Sequence, residues 1–159
     1  MTEEEKITIE SMKEEDIIEV LKIEHASFSD PWTYNMFNAE LSNPFSYLWV
    51  ARDNSGVLIG FICFWILGDE AHLLDLAVHP SYRQRGVGSQ IIKVSMDYWK
   101  DAGLKSAYLE VRESNEDARR LYGRFGFKVI TRRPKYYTKP REDAYIMFRD
   151  LNCDSDSRP

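Results

Sequence analysis

The chain is predicted to fold as one mixed α/β (α+β) domain: a mostly antiparallel sheet of about seven strands with helices on both faces. Size is the first observation behind this. At 159 residues, 43% hydrophobic and 13% aromatic, the chain is long enough for one domain around one core. The second is the order of apolar patterns, which alternates between period two and period 3.6: strand, two helices, three strands, helix, strand, helix, two strands. The third is connectivity. Strands joined by short turns pair antiparallel, while the one strand–helix–strand passage requires a crossover and a parallel pair.

Each element has its own signal. Lys6 to Met12 alternates apolar and polar residues, as a strand does. Glu14 to Ser27 sets Ile17, Val20, Leu21 and Ile23 at helical spacing behind an acidic first turn. Asp30-Pro31-Trp32 breaks that helix. Tyr34 to Leu41 forms a short second helix, stopped before Asn43-Pro44 because a residue preceding proline avoids helical geometry. Ser46–Arg52 and Val57–Leu67 read as strands joined by the turn Asp53-Asn54-Ser55-Gly56. Glu70–His79 is a further strand. A glycine-bearing loop follows, then a helix to about Ala102 that Gly103 terminates. Ser106–Glu113 is a strand, and Ser114 or Asn115 caps a helix reaching about Arg124. Gly126–Arg132 and Ala144–Arg149 are the last strands, separated by a polar loop over 133–142 with two prolines and two tyrosines. The domain is expected to span 1–150, with 151–159 a disordered tail.

The most informative stretch is Arg83-Gln84-Arg85-Gly86-Val87-Gly88, between the strand and the helix. The first N–H groups of a helix lack intrahelical acceptors and the helix dipole favours an anion there, so a strand-to-helix turn rich in glycine can hold phosphate. Two arginines add charge. The stretch lacks the Gly-Lys-Ser/Thr of a Walker A loop and the third glycine of a dinucleotide fingerprint. Taken alone, it fits a simple turn with solvated arginines as well as it fits a phosphate loop.

Composition narrows the classes. Net charge is −5, but it is unevenly spread: residues 1–82 hold 4 Lys/Arg against 15 Asp/Glu, and residues 83–149 hold 16 against 8. A basic half can attract nucleic acid or hold the phosphates of one cofactor; the glycine loop opens that half, which favours the cofactor. The acidic half suits a cationic acceptor. No apolar run reaches the roughly 18–20 residues of a membrane span, and the acidic N-terminus carries no apolar secretion segment. A cytoplasmic protein with no membrane and no nucleic-acid partner is expected. Cys63 lies in a strand-like run and Cys153 in the polar tail, so no disulfide framework is expected. His25, His72 and His79 have no neighbours at metal-ligand spacing, and no metal site is expected.

Three ordered blocks carry a resemblance over about Ile9 to Arg149: the glycine loop after Leu76-Ala77-Val78; Leu109-Glu110-Val111-Arg112-Glu113-Ser114-Asn115; and Leu121-Tyr122-Gly123-Arg124-Phe125-Gly126-Phe127. With Tyr136-Tyr137 and Glu142-Asp143-Ala144-Tyr145, they resemble the RimI family of bacterial N-terminal (ribosomal-protein alanine) acetyltransferases, within the GNAT superfamily. The resemblance implies the GNAT fold and acetyl-coenzyme A as co-substrate. It implies a pyrophosphate loop over Gln84, Arg85, Gly86, Val87, Gly88 and Ser89. It also implies that Leu76, Ala77 and Val78, on a strand that splays from its neighbour, meet the pantetheine arm and thioester through their backbone. Asn115 corresponds to a further cofactor contact; on its residues alone it is a plain helix cap. The implied partner is a protein N-terminus, that of a ribosomal protein.

Acetyl transfer to an amine needs a base for the ammonium proton, a donor for the thioester oxygen and a proton for the departing thiolate. By the resemblance Glu110 is the base, though an exposed strand glutamate paired with Arg112 explains its position equally. Tyr122, twelve residues on, is the acid and also touches the cofactor; its bland reading is core packing with Ala118, Leu121 and Phe125. Trp32, Tyr136 and Tyr137 are the acceptor-site candidates, with Glu24 facing the same groove. An α-amine titrates about 2.5 pK units below a lysine, so it costs roughly 3.5 kcal/mol less to deprotonate. Acetylation of a lysine or a small-molecule amine, and a non-catalytic acyl-coenzyme A binding module, are the alternatives.

Overall fold

The computed structural model describes residues 5–152. Its strands are β1 (Thr8–Ser11), β2 (Ser46–Arg52), β3 (Leu58–Leu67), β4 (Glu70–Val78), β5 (Ser106–Arg112), β6 (Lys128–Thr138) and β7 (Arg141–Asp150). Its α-helices are α1 (Ile17–Ser27), α2 (Tyr34–Leu41), α3 (Val87–Asp101) and α4 (Glu116–Arg124), with single 3₁₀ turns at Glu14–Asp16 and Pro80–Tyr82. The seven strands form one sheet in the order β1-β2-β3-β4-β5-β7-β6. Only β4 and β5, the pair bridged by α3, run parallel; every other pairing is antiparallel.

The two faces of the sheet build two cores. α3 buries Val87, Ile91, Ile92, Met96 and Trp99 at helical spacing against Ile59, Ile62, Phe64, Leu73 and Leu109. Each such side chain removed from water contributes roughly 1.5–3 kcal/mol. α1 and α2 bury Ile17, Val20, Ile23 and Phe37 against Val50, Phe61, Cys63 and Ala77 on the other face.

The feature that positions the site is a bulge in β4. Phe64 pairs with Leu73 while Cys63 pairs with Asp75, leaving Leu74 as the extra residue. Side chains in a strand alternate faces, so one inserted residue swaps them. Ala71 and Leu73 lie in the α3 core, whereas Ala77 lies in the α1 core. Pairing between β4 and β5 covers only Glu70–Leu73 with Ser106–Leu109. Past the bulge β4 runs on to Val78 and β5 to Arg112 with no mutual ladder, and a cleft opens between them.

Two expectations are corrected. Residues 133–142 are largely a β-hairpin, since β6 continues to Thr138 and β7 begins at Arg141. The alternation that marks a strand is missing there because β6 is an almost wholly exposed edge strand. It is also interrupted at a bulge where Lys135 takes φ +56°. The domain does not stop at 150: Leu151 is buried in the α3 core, and its N–H donates to the Lys105 carbonyl at 2.8 Å. The rest of the expected tail, 153–159, lies outside the described residues.

Candidate active site

At one end of the cleft the loop between β4 and α3 presents its backbone. Gly86 is the N-cap of α3 with φ +78°, a left-handed conformation that glycine reaches without strain. Gln84 is also left-handed, with φ +62°. These turns aim the first-turn N–H groups of Val87, Gly88 and Ser89 out of the helix end. They open on a cavity of about 570 Å³ that Leu76, Ala77 and Val78 line from β4, and Asn115, Leu121 and Tyr122 from the α4 side.

The two arginines of the loop do different work. Arg83 braces it, donating from Nε to the Val78 carbonyl at 3.1 Å and from Nη2 to Ser27 Oγ at 2.9 Å. Arg85 does not line the cavity. It pairs with Glu5 at 3.3 Å and lies over the Tyr82 ring, while the Glu5 N–H donates to the Arg85 carbonyl. Gln84, Gly86, Val87, Gly88 and Ser89 all line the cavity.

A second cavity of about 400 Å³ lies on the α1–α2 side of the cleft. Phe28, Leu76, Asn115, Ala118 and Tyr122 line both, so the two join where β4 and β5 part. Glu110 enters from β5 and Tyr122 from α4. Glu110 Oε1 lies 2.8 Å from His72 Nε2, and the imidazole stacks on Tyr108 at 4.2 Å between centroids. Tyr122 is 6% exposed, and burial pushes its phenol well above the ordinary range, with a smaller contribution from Asp75. Asn115 caps α4, its Oδ1 accepting from the Ala118 N–H at 3.1 Å. The cap and the cavity wall are one residue.

The walls of this second cavity are held from behind. Arg112 is not the partner of Glu110. It bonds Glu142 at 3.2 Å and the carbonyls of Lys139 and Pro140, and its guanidinium lies 4.2 Å over the Tyr137 ring. Glu142 in turn accepts from the Ser114 N–H at 2.6 Å, and its bonds from Ser114 and Arg112 hold its carboxyl below the usual range. Tyr137 is thereby fixed in the cavity wall, with burial pushing its phenol up to about 12. Tyr136 stands outside that wall, 45% exposed and edge-on to Tyr137 at 5.0 Å. Trp32 lines the cavity, and its N–H donates to Glu24 Oε2 at 2.9 Å.

The structure thus brings Glu110, Tyr122, Trp32, Tyr137 and Asn115 to one cleft and leaves Tyr136 and Arg85 at its margins. Asp75 and Arg112, which line the cleft, were assigned no place there from sequence, nor was His72, which bonds Glu110. Strand alternation puts Tyr108, Glu110 and Arg112 on one face. His72 reaches that face only through the β4–β5 register, and Asp75 enters the cavity wall only because of the bulge.

The profile described as Acetyltransferase (GNAT) family matches residues 15–127. The chain is 37% identical to a putative ribosomal protein bS18-alanine N-acetyltransferase of Bacillus subtilis, over 92% of this chain and 97% of that one. It is 32% identical to the N-alpha-acetyltransferase RimI of Mycobacterium tuberculosis, over 92% and 94% respectively. The crystal structure of the Escherichia coli ribosomal-protein-S18-alanine N-acetyltransferase superposes with a TM-score of 0.84 at 29% identity, covering 97% of this chain and 99% of that one. The chain therefore belongs to the GNAT acetyltransferases, whose acetyl donor is acetyl-coenzyme A, and within them to the RimI family of N-terminal acetyltransferases.

Proposed function

We propose that this enzyme acetylates the α-amine of a protein N-terminus, and that its acceptor is the N-terminal alanine of ribosomal protein bS18, the substrate named for its relatives. The observation that carries the reading is the meeting of the two cavities at Leu76 and Tyr122. Glu110 lies on the acceptor side of that junction and the glycine loop on the donor side.

The donor cavity suits acetyl-coenzyme A. Its open end is a helix N-terminus whose left-handed Gly86 lets backbone amides face an anion. Its inner wall is the unpaired edge of β4 past the bulge. Gln84 and Gly86–Ser89 would hold the pyrophosphate, and Leu76–Val78 the pantetheine arm. When bound, the group supplies an activated acetyl thioester.

The chain's own residues do the rest. Glu110 takes the ammonium proton, directly or through one water, and His72, 2.8 Å away, orients its carboxylate. Backbone N–H groups near Val78 lie on the wall the thioester carbonyl would face and can donate to it. Tyr122 keeps its proton, since burial raises its phenol. It acts as a hydrogen-bond donor at Oη to negative charge developing on sulfur. Trp32 and Tyr137 flank the acceptor cavity and can grip peptide backbone, with Tyr136 at the rim.

Mass spectrometry of peptides incubated with acetyl-coenzyme A tests the reading. An Ala-Arg-initiated peptide should be acetylated far faster than the same peptide blocked at its N-terminus and offering only lysine. Preference for the blocked peptide, or for a small polyamine, would overturn it.

A further inference from the structure

Two carboxyl groups in the acceptor cavity have no part in that chemistry. Glu24, in the last turn of α1, is 1% exposed, and Asp75, just past the β4 bulge, is 6% exposed. Both line the same cavity, and the charge of Glu24 acts on Asp75. Glu24 Oε2 accepts from the Trp32 N–H at 2.9 Å. Glu24 Oε1 and Asp75 Oδ2 are buried with no donor in reach among the described residues.

Two adjacent carboxylates in such a place repel each other, and each also loses its hydration. A single proton resolves both problems. A proton on Asp75 Oδ2 would let that carboxyl donate to Glu24 Oε1, giving both stranded oxygens a partner and leaving one negative charge for the Trp32 N–H. Burial, followed by the bond to Glu24, raises the Asp75 carboxyl well above its ordinary range. Among the described residues, the neighbours lining this cavity supply no free cation. Cys63 of β3 is paired in register with Asp75, and Tyr122 of α4 feels its charge. Asp30, Glu110 and Tyr137 line the same cavity, and the Arg112 there is taken by Glu142.

We propose that Glu24 and Asp75 share one proton and act as a positioning pair for the acceptor site. Glu24 holds the Trp32 N–H and with it the α1–α2 loop, and Asp75 keeps Glu24 from meeting a second negative charge. The proposal rests on reading this cavity as the acceptor site. Loss of the shared proton would set two carboxylates side by side and release the Trp32 wall. The effect should fall on KM for peptide rather than on kcat.

The test compares Asp75→Asn, which donates as the protonated acid does, with Glu24→Gln, which removes the charge. The backbone amide of Trp32, followed in protein labelled with ¹⁵N-tryptophan and assigned by W32F, reports the bond to Glu24 without any substrate. At neutral pH, D75N should keep the wild-type amide position. E24Q should move the amide and raise peptide KM about fivefold, the difference between a charged and a neutral acceptor, leaving KM for acetyl-coenzyme A unchanged. Any pH step of the wild-type amide above the ordinary carboxylate range should be absent in D75N. The proposal is overturned if D75N displaces the amide and raises KM as E24Q does. It is equally overturned if the pH step persists in D75N, or if E24Q changes nothing. Should no N-terminal peptide prove to be a substrate, the acceptor reading fails by itself and the amide measurement still decides the pair.

Discussion

At the mouth of the donor cavity the protein presents backbone: the first-turn amides of α3, turned outward by left-handed Gln84 and Gly86, and the free edge of β4. Across Leu76, the acceptor cavity is walled by side chains, namely Glu24, Trp32, Asp75, Glu110, Tyr122 and Tyr137, contributed by α1, β4, β5, α4, β6 and the α1–α2 loop. The mouth of the donor cavity needs a strand, a turn and a helix in succession, though α1 and α4 close the rest of it. The acceptor wall needs six segments placed by sheet register. Backbone recognition suits a ligand every member of the family shares. Side-chain recognition suits one that differs from enzyme to enzyme.

Substitutions should divide along the same line. The largest effect belongs to Glu110→Gln, which keeps the shape and removes the base; kcat should fall roughly 10²-fold or more with acetyl-coenzyme A affinity unchanged. Tyr122→Phe removes only a hydroxyl and should lower kcat by about tenfold to a hundredfold, again without loss of cofactor binding. Near-wild-type turnover in either variant would return that residue to a packing role. On the donor side, Gly86→Val forces a branched side chain into φ +78°. Calorimetry should show acetyl-coenzyme A binding weakened by roughly tenfold or more, about the 1–3 kcal/mol that such strain costs; an unchanged Kd in a folded variant would move the phosphate site elsewhere.

Smaller effects sharpen the contrast. Tyr137→Ala should raise KM for peptide more than for acetyl-coenzyme A, since the ring lines only the acceptor cavity. Asp75 makes a stability prediction whose sign follows from proton counting. Its folded pKa is raised, so below about pH 4 both folded and unfolded states hold the proton. As pH climbs from there toward the folded pKa, only the unfolded chain has released it. Stability falls by at most about 1.4 kcal/mol per pH unit over that window. D75N has no proton to lose, so its Tm advantage over the wild type should widen with rising pH and then level off. An advantage constant across pH would mean Asp75 carries no shifted proton. The smallest expected change is Gly123→Ala. A Cβ there meets nothing within 4 Å, and alanine in the last turn of α4 should stabilise by at most about 1 kcal/mol, read as a Tm increase with unaltered kinetics.

The helices, the order of the strands, the glycine loop and the Asn115 cap were legible in the sequence because each depends on residues within a turn or two of one another. A helical stripe, a strand alternation and an αL glycine are local facts. The β6–β7 hairpin was not legible, because an exposed edge strand has no buried face to impose alternation, and bonds such as Lys135 N–H to Asp143 Oδ1 at 2.8 Å join residues on opposite strands. Glu110 and Tyr122 stood out only as members of ordered blocks.

The sequence by itself determined the layer architecture and the glycine turn that opens α3. Tertiary structure alone decided which side chains surround Glu110. One inserted residue at Leu74 turns Asp75 toward Glu24 and ends the β4–β5 ladder. A parallel register sets His72 against Glu110, 38 positions away along the chain. A strand's side-chain period is two, so a shift of one residue exchanges its faces. No local reading of composition or spacing shows on which side of the sheet a carboxylate will emerge.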